Sequence, residues 1–124
     1  MTLTVDGFAG NDEGMEIQGS ATLVNNGTIA ISNINGGTGA DGFYNKGTTM
    51  NNGTITIDGV AQHGLYVVAG VFTNAATGSI TITNVGLTTT AGDNIYVDDA
   101  NSGTLFGTLT NDGTITIMLS LIHI

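Results

Sequence analysis

The chain has 124 residues, within the size of a single domain, with 20 Gly, no Pro, no Cys and no Trp, and one Lys or Arg side chain (Lys46) against ten carboxylates. The formal charge of −9 leaves no basic face for nucleic acid or anionic lipid, and the lack of Cys excludes a disulfide framework and a thiolate metal site. The hydrophobic fraction of 40% suffices for a narrow core, while no apolar run approaches the roughly 20 residues of a membrane helix.

Thr2-Leu3-Thr4-Val5 opens the chain and reads as the end of a repeat. The repeat returns as Asn25-Asn26-Gly27-Thr28-Ile29-Ala30-Ile31, Asn51-Asn52-Gly53-Thr54-Ile55-Thr56-Ile57, Thr77-Gly78-Ser79-Ile80-Thr81-Ile82 and Asn111-Asp112-Gly113-Thr114-Ile115-Thr116-Ile117. From Leu3 to Ile29, Ile55, Ile80 and Ile115 the steps are 26, 26, 25 and 35 residues, a period of the size of one solenoid coil. No basic segment followed by an apolar one precedes the first copy, and the sequence reads as starting inside a longer protein.

Between successive copies lie a variable Gly/Asn/Asp/Thr-rich loop, a short strand and a turn. The short strands are Gly14-Met15-Glu16-Ile17, Gly42-Phe43-Tyr44-Asn45, Gly64-Leu65-Tyr66-Val67 and Asn94-Ile95-Tyr96-Val97, whose β-branched and aromatic content favours strand over helix. In the main strands Thr and Ile alternate, so their side chains point to opposite faces. If each repeat is one coil, one inward column is Leu3, Ile29, Ile55, Ile80, Ile115 and the next is Val5, Ile31, Ile57, Ile82, Ile117. A slip of one residue would turn both columns to water. Gly27, Gly53, Gly78 and Gly113 precede the main strands and are expected at tight corners with positive φ. Asn-Gly between strands is also a hairpin signal, which would give an antiparallel meander or sandwich. The coil is preferred because whole repeats, rather than adjacent strands, are alike. Asn25, Asn51, Asn74 and Asn111 are expected to stack as an amide ladder at the corner.

Two insertions, Gly86 to Asp93 and Asp98 to Gly103, account for the 35-residue step and are expected to bulge from one side, where solenoids often bind ligands. The closing Leu119-Ser120-Leu121-Ile122-His123-Ile124 breaks the repeat and resembles a translated sequencing-adapter sequence. The domain reading is therefore a β-helix repeat fragment over 1–118, uncapped and continuing into further coils at both ends, and a non-native tail over 119–124. A native apolar strand is the alternative for the tail.

Asn94 to Val97 followed by Leu109 to Ile117, Gly64 to Ile82, and Gly42 to Ile57 resemble the repeat of bacterial autotransporter passenger domains. The resemblance covers the chain up to Met118 and implies a right-handed parallel β-helix of the pectin-lyase-like type. It further implies export to the bacterial outer-membrane surface, as a stalk or adhesin whose loops meet proteins or glycans of host or neighbouring cells. Other secreted β-helix proteins carry similar repeats, and no membrane-barrel segment is present in the sequence. An alternative is the non-catalytic coils of a secreted carbohydrate-active enzyme.

No catalytic or cofactor-binding residue is assigned. Asp98-Asp99 invites comparison with glycosidase carboxylates, which stand about 5–9.5 Å apart across the scissile bond. Neighbours on one strand point apart, however, and no His or basic residue lies beside them, so a solvated loop is expected. Asp93, Asp98, Asp99 and Asn101 are candidate hard-oxygen ligands for calcium, although their spacing matches no EF-hand loop; hydrated acidic loops are the plainer expectation. His63 has no partner His or Cys and reads as a lone surface or loop imidazole. Tyr44, Tyr66 and Tyr96 share one repeat position. Outward, they form an aromatic stripe for glycans or proteins; inward, they are core spacers. The outward ladder is preferred. The outward Thr2/Thr4, Thr28/Ala30, Thr54/Thr56, Ser79/Thr81 and Thr114/Thr116 pairs would make a flat array similar to those of ice-binding solenoids, a further alternative, although outward Thr is also what a solvated sheet selects.

Overall fold

The computed structural model describes residues 1–7, 9–86, 92–98 and 106–118, and these form strands and turns without a helix. The strands occupy three recurring positions in each coil. The long strands β1 (Thr2–Asp6), β4 (Thr28–Ile34), β7 (Thr54–Val60), β10 (Ser79–Val85) and β13 (Thr114–Met118) form one sheet in chain order. The short strands β2 (Met15–Ile17), β5 (Phe43–Asn45), β8 (Leu65–Val68) and β11 (Ile95–Asp98) form a second. A third contains β3 (Thr22–Asn25), β6 (Thr48–Asn51), β9 (Val71–Asn74) and β12 (Thr108–Asn111). Every pairing among the described residues is parallel, which makes the chain a β-solenoid of about four turns and excludes the hairpin alternative.

Register follows the isoleucines. Leu3 pairs with Ile29, Ile29 with Ile55, Ile55 with Ile80 and Ile80 with Ile115, and the Val5–Ile31–Ile57–Ile82–Ile117 column lies beside it. Ile29, Ile31, Ile55, Ile57, Ile80 and Ile82 are buried together with Phe43, Leu65, Val67 and Phe72 from the other two sheets. Each such side chain contributes about 1.5–3 kcal/mol by leaving water. The 35-residue step closes in the same register, with Tyr66 on Tyr96 and Phe72 on Leu109 across the insertions. Residues 87–91 and 99–103 of those insertions lie outside the described residues, as do 104–105 and the tail 119–124.

The third sheet corrects the expected turn before each main strand. Its Thr and Asn residues look like turn formers in sequence, but in the stack Thr49 faces inward and donates to Asn45 of its own coil, and the Asn at the end of each strand finds a partner in the next coil. Asn25 Nδ2 donates to Asn51 Oδ1 (2.7 Å), Asn51 Nδ2 to Asn74 Oδ1 (2.8 Å) and Asn74 Nδ2 to Asn111 Oδ1 (2.7 Å), the amide ladder expected from the repeat.

The corner glycines have a different role from the expected one. Neither Gly27, Gly53, Gly78 and Gly113 nor the residues before them have positive φ. They are needed for close approach: a Cβ at Gly53 would lie 2.1 Å from the Gly27 carbonyl oxygen, and one at Gly113 would lie 2.3 Å from that of Gly78. Four of the positive-φ residues fall instead one residue past the alternating run, at Gly7 (φ 79°), Asn33 (55°), Gly59 (69°) and Asn84 (52°), which share one place in the coil. That residue breaks the two-residue alternation and turns Ile34 and Val60 into the core.

Candidate functional site

The short-strand sheet positions the tyrosines. Parallel pairing puts Tyr44 on Tyr66 and Tyr66 on Tyr96, while the flanking Phe43–Leu65–Ile95 and Asn45–Val67 positions face the core. Alternation then sends the three rings outward, on the side the sequence left open. Tyr44 and Tyr66 meet edge to face with centroids 5.2 Å apart, and Tyr66 and Tyr96 are tilted at 5.0 Å. The one ammonium side chain of the protein, Lys46, lies 5.2 Å from the Tyr44 ring centroid, and its contact with that phenol raises the Lys46 pKa.

His63 does not stand free in a loop. It is 6% exposed, stacks on Tyr96 (4.9 Å, 20°) and approaches Tyr66 at 5.1 Å. Residue 63 ends the loop just before the short strand, so its ring lies against the outward aromatic column of its own and the next coil. Nothing in a single sequence announces that contact, because Tyr96 is 33 residues away and joins through the stack alone. Its Nδ1 lies 3.2 Å from the Asp93 backbone N–H, and its Nε2 lies 3.2 Å from the Gln62 side-chain nitrogen. Nδ1 is thus the acceptor of a backbone amide. Burial lowers the His63 pKa, and the Asp93 carboxylate, 3.7 Å from Nδ1, opposes this.

The Tyr66 hydroxyl donates to Asp98 Oδ2 at 3.1 Å. Burial first, and then the Asp98 hydrogen bond and charge, raise the Tyr66 pKa, so the phenol stays protonated as the donor. Beneath the site, Asp41 is 3% exposed and accepts the His63 backbone N–H at 3.1 Å. Burial pushes its pKa up to about 6 against that hydrogen bond, and Glu13 adds to the rise.

Gln62, His63, Tyr66, Asp93, Tyr96 and Asp98 line an open cleft of about 500 Å³. Of the calcium candidates, Asp93 and Asp98 meet there, whereas Asp99 and Asn101 lie outside the described residues. Among the described residues no three His, Cys, Asp or Glu side chains converge as a metal site. Asp99 also removes the Asp98-Asp99 pair from geometric comparison. The cleft offers aromatic faces, an imidazole and carboxylates: surfaces for stacking and for hydrogen bonding.

No family model, curated protein or solved structure matches this chain.

Proposed function

We propose that the chain is a structural and adhesive segment of a secreted bacterial surface protein, a rigid β-helical stalk that presents a ligand-binding face. The observation that carries this is the in-register Tyr44–Tyr66–Tyr96 ladder beside an open cleft, on a scaffold whose core is a continuous apolar column. Outward aromatics held in fixed positions, here two half-buried rings and the exposed Tyr96, lose little entropy on binding and present apolar surface to sugars or to protein side chains. The resemblance of the repeats to autotransporter passengers supports the surface location, with host or neighbouring-cell proteins or glycans as partners. The acidic balance fits this choice of partners better than it fits nucleic acid.

The test is adhesion. Fluorescently labelled protein is expected to bind bacterial or epithelial cell surfaces, and a Tyr66→Ser/Tyr96→Ser variant with unchanged circular dichroism should lose that binding. Equal binding by the variant would remove the ladder from the function. A second reading, ice binding, is supported by the register of the outward Thr positions, which pair Thr28 with Thr54 and Thr81 with Thr116. Thermal hysteresis would separate it from adhesion.

A further inference from the structure

We infer that the open cleft lined by Tyr66, Tyr96, His63, Asp93 and Asp98 is a seat for an organic cation, an ammonium or guanidinium group carried by a partner molecule. The inference deepens the ligand-face reading above by naming the chemistry that face accepts.

Three observations converge on it. First, one wall of the cleft is an aromatic cluster: Tyr66 and Tyr96 are tilted at 5.0 Å and His63 packs on both, at 4.9 Å from Tyr96 and 5.1 Å from Tyr66, so the rings meet one another and offer a guest their cleft-side surfaces, Tyr96 the most exposed at 37%. The face of an aromatic ring carries the negative lobe of its quadrupole, and a cation within about 6 Å of the centroid is attracted to it. Second, the rim is acidic. The Asp93 side chain is 58% exposed beside His63, and Asp98 holds the Tyr66 hydroxyl, fixing the ring that a guest would meet. A net charge of −9 adds a field that draws cations and repels anions. Third, the ladder already holds one cation. Lys46 Nζ lies 5.2 Å from the Tyr44 ring at the first rung. With Lys46 so placed, the protein has no second Lys or Arg side chain to give to Tyr66 and Tyr96, so a cationic side chain on those rings belongs to another molecule.

A neutral sugar would use the same ring faces, but it would gain nothing from the charge of Asp93. Isosteric probes therefore separate the two. The 124-residue chain is titrated with choline, with tetramethylammonium and with 3,3-dimethylbutan-1-ol, which has the shape of choline without its charge, while proton NMR follows the Tyr and His ring signals. The two cations are expected to shift the Tyr66, Tyr96 and His63 signals at millimolar concentration. The neutral alcohol should bind about tenfold more weakly. Tyr96→Phe should keep the affinity, Tyr96→Leu should lose about tenfold, and Asp93→Asn should weaken binding several-fold and flatten its salt dependence.

Equal binding of the alcohol would overturn the inference, because the cleft would then be merely apolar. Shifts with calcium chloride but none with tetramethylammonium would overturn it too, in favour of a metal site. If Tyr96→Leu fails to fold, the comparison of probes on the unaltered protein still decides. Tyr-dependent adhesion to cells without any cation binding would leave the adhesive function standing and remove this inference. Choline binding without adhesion would do the reverse.

Discussion

Asn51 is fully buried, and both ends of its amide are engaged: Oδ1 accepts from Asn25, and Nδ2 donates to Asn74 and to the Ser79 carbonyl. Removing it strands a donor above or an acceptor below in an interior that holds no other unsatisfied side-chain polar atom among the described residues. Asn51→Ala is expected to cost about 2–4 kcal/mol, since each buried group left unpaired carries its full desolvation penalty, and chemical denaturation would measure it. A loss below about 1 kcal/mol would mean that the amides do not act as a chain of bonds.

Asp41 and His63 make opposite contributions to stability as pH falls. The Asp41 carboxyl titrates at about 6 in the folded state and near 3.9 unfolded, so the native state binds the extra proton between those values and gains stability as pH drops through 6. For His63 the folded pKa is lowered below the usual 6.5 of imidazole, so the unfolded state is protonated first and stability falls as pH drops below 6.5. Asp41→Asn keeps an acceptor for the His63 N–H while removing the buried charge. It should raise stability at pH 7.5 by about 1–2 kcal/mol, allowing for solvent screening, and leave a melting temperature that only declines below pH 6.5. A variant that melts lower than the parent at pH 7.5 would refute this account of Asp41.

At the scale of the coil, two glycines of similar sequence context have opposite tolerances. Gly53 has no positive φ, but any Cβ there meets the Gly27 backbone at 2.1 Å, so the neighbouring coil must move. Gly59 has φ 69°, and the position it occupies is filled by Asn33 and Asn84 in the adjoining coils, both left-handed. Gly53→Ala is therefore expected to be strongly destabilising, by about 3 kcal/mol at the upper end of the usual overpacking range because the clash is with backbone, whereas Gly59→Asn should stay within about 0.5–1 kcal/mol of the parent. Paired thermal melts test the contrast, and equal losses would contradict the assignment of close approach at one and backbone conformation at the other.

The long strands themselves show why the register tolerates no slip. Asp6 accepts hydrogen bonds from Ser32 (2.7 Å) and Asn33 (2.8 Å) of the next coil, and two coils on Asp58 receives Thr83 and, at 2.7 Å, Asn84. These outward contacts repeat at the end of the alternating run, and their clustering lowers the Asp6 pKa through the Ser32 and Asn33 hydrogen bonds. The inner isoleucine columns and the outer polar pairs thus specify the same alignment independently.

For the whole molecule, the described coil stack presents apolar side chains at its two ends. Leu3 is 42% exposed and Ile117 44% exposed, while the equivalent Ile55 and Ile82 of the middle coils are buried. The outer edges of β1 and β13 carry no strand partner among the described residues, and such edges recruit other strands. The isolated 124-residue chain is expected to associate as concentration rises, and Leu3→Lys with Ile117→Lys should shift it toward monomer. Light scattering that shows a clean monomer for the parent at high concentration would refute the expectation.

Much of this architecture is legible in one sequence because a solenoid repeats its own evidence. Five copies of an alternating strand, four of them 25 or 26 residues apart and the fifth after a longer step, state the strand, the inward face, the parallel neighbours and the amide ladder all at once. The Tyr column is visible as a repeat position, but the side it faces is not fixed by sequence, because the positions on both sides of it are largely apolar and the tyrosines could pack inward with them. The third sheet is hidden because Thr and Asn are turn formers when read locally; they become strand residues when a coil above and below satisfies them. His63 and Asp93 come together across a step that no local pattern records.

Sequence alone thus determined the repeat, the buried columns and the acidic character, since each follows from residue type and spacing along the chain. The tertiary structure decided that the corner glycines serve close approach, that Asp41 and His63 are buried, and that His63, Tyr66, Tyr96 and Asp93 share one cleft. Those properties depend on distances between coils, and a distance between coils exists only after the chain has wound upon itself.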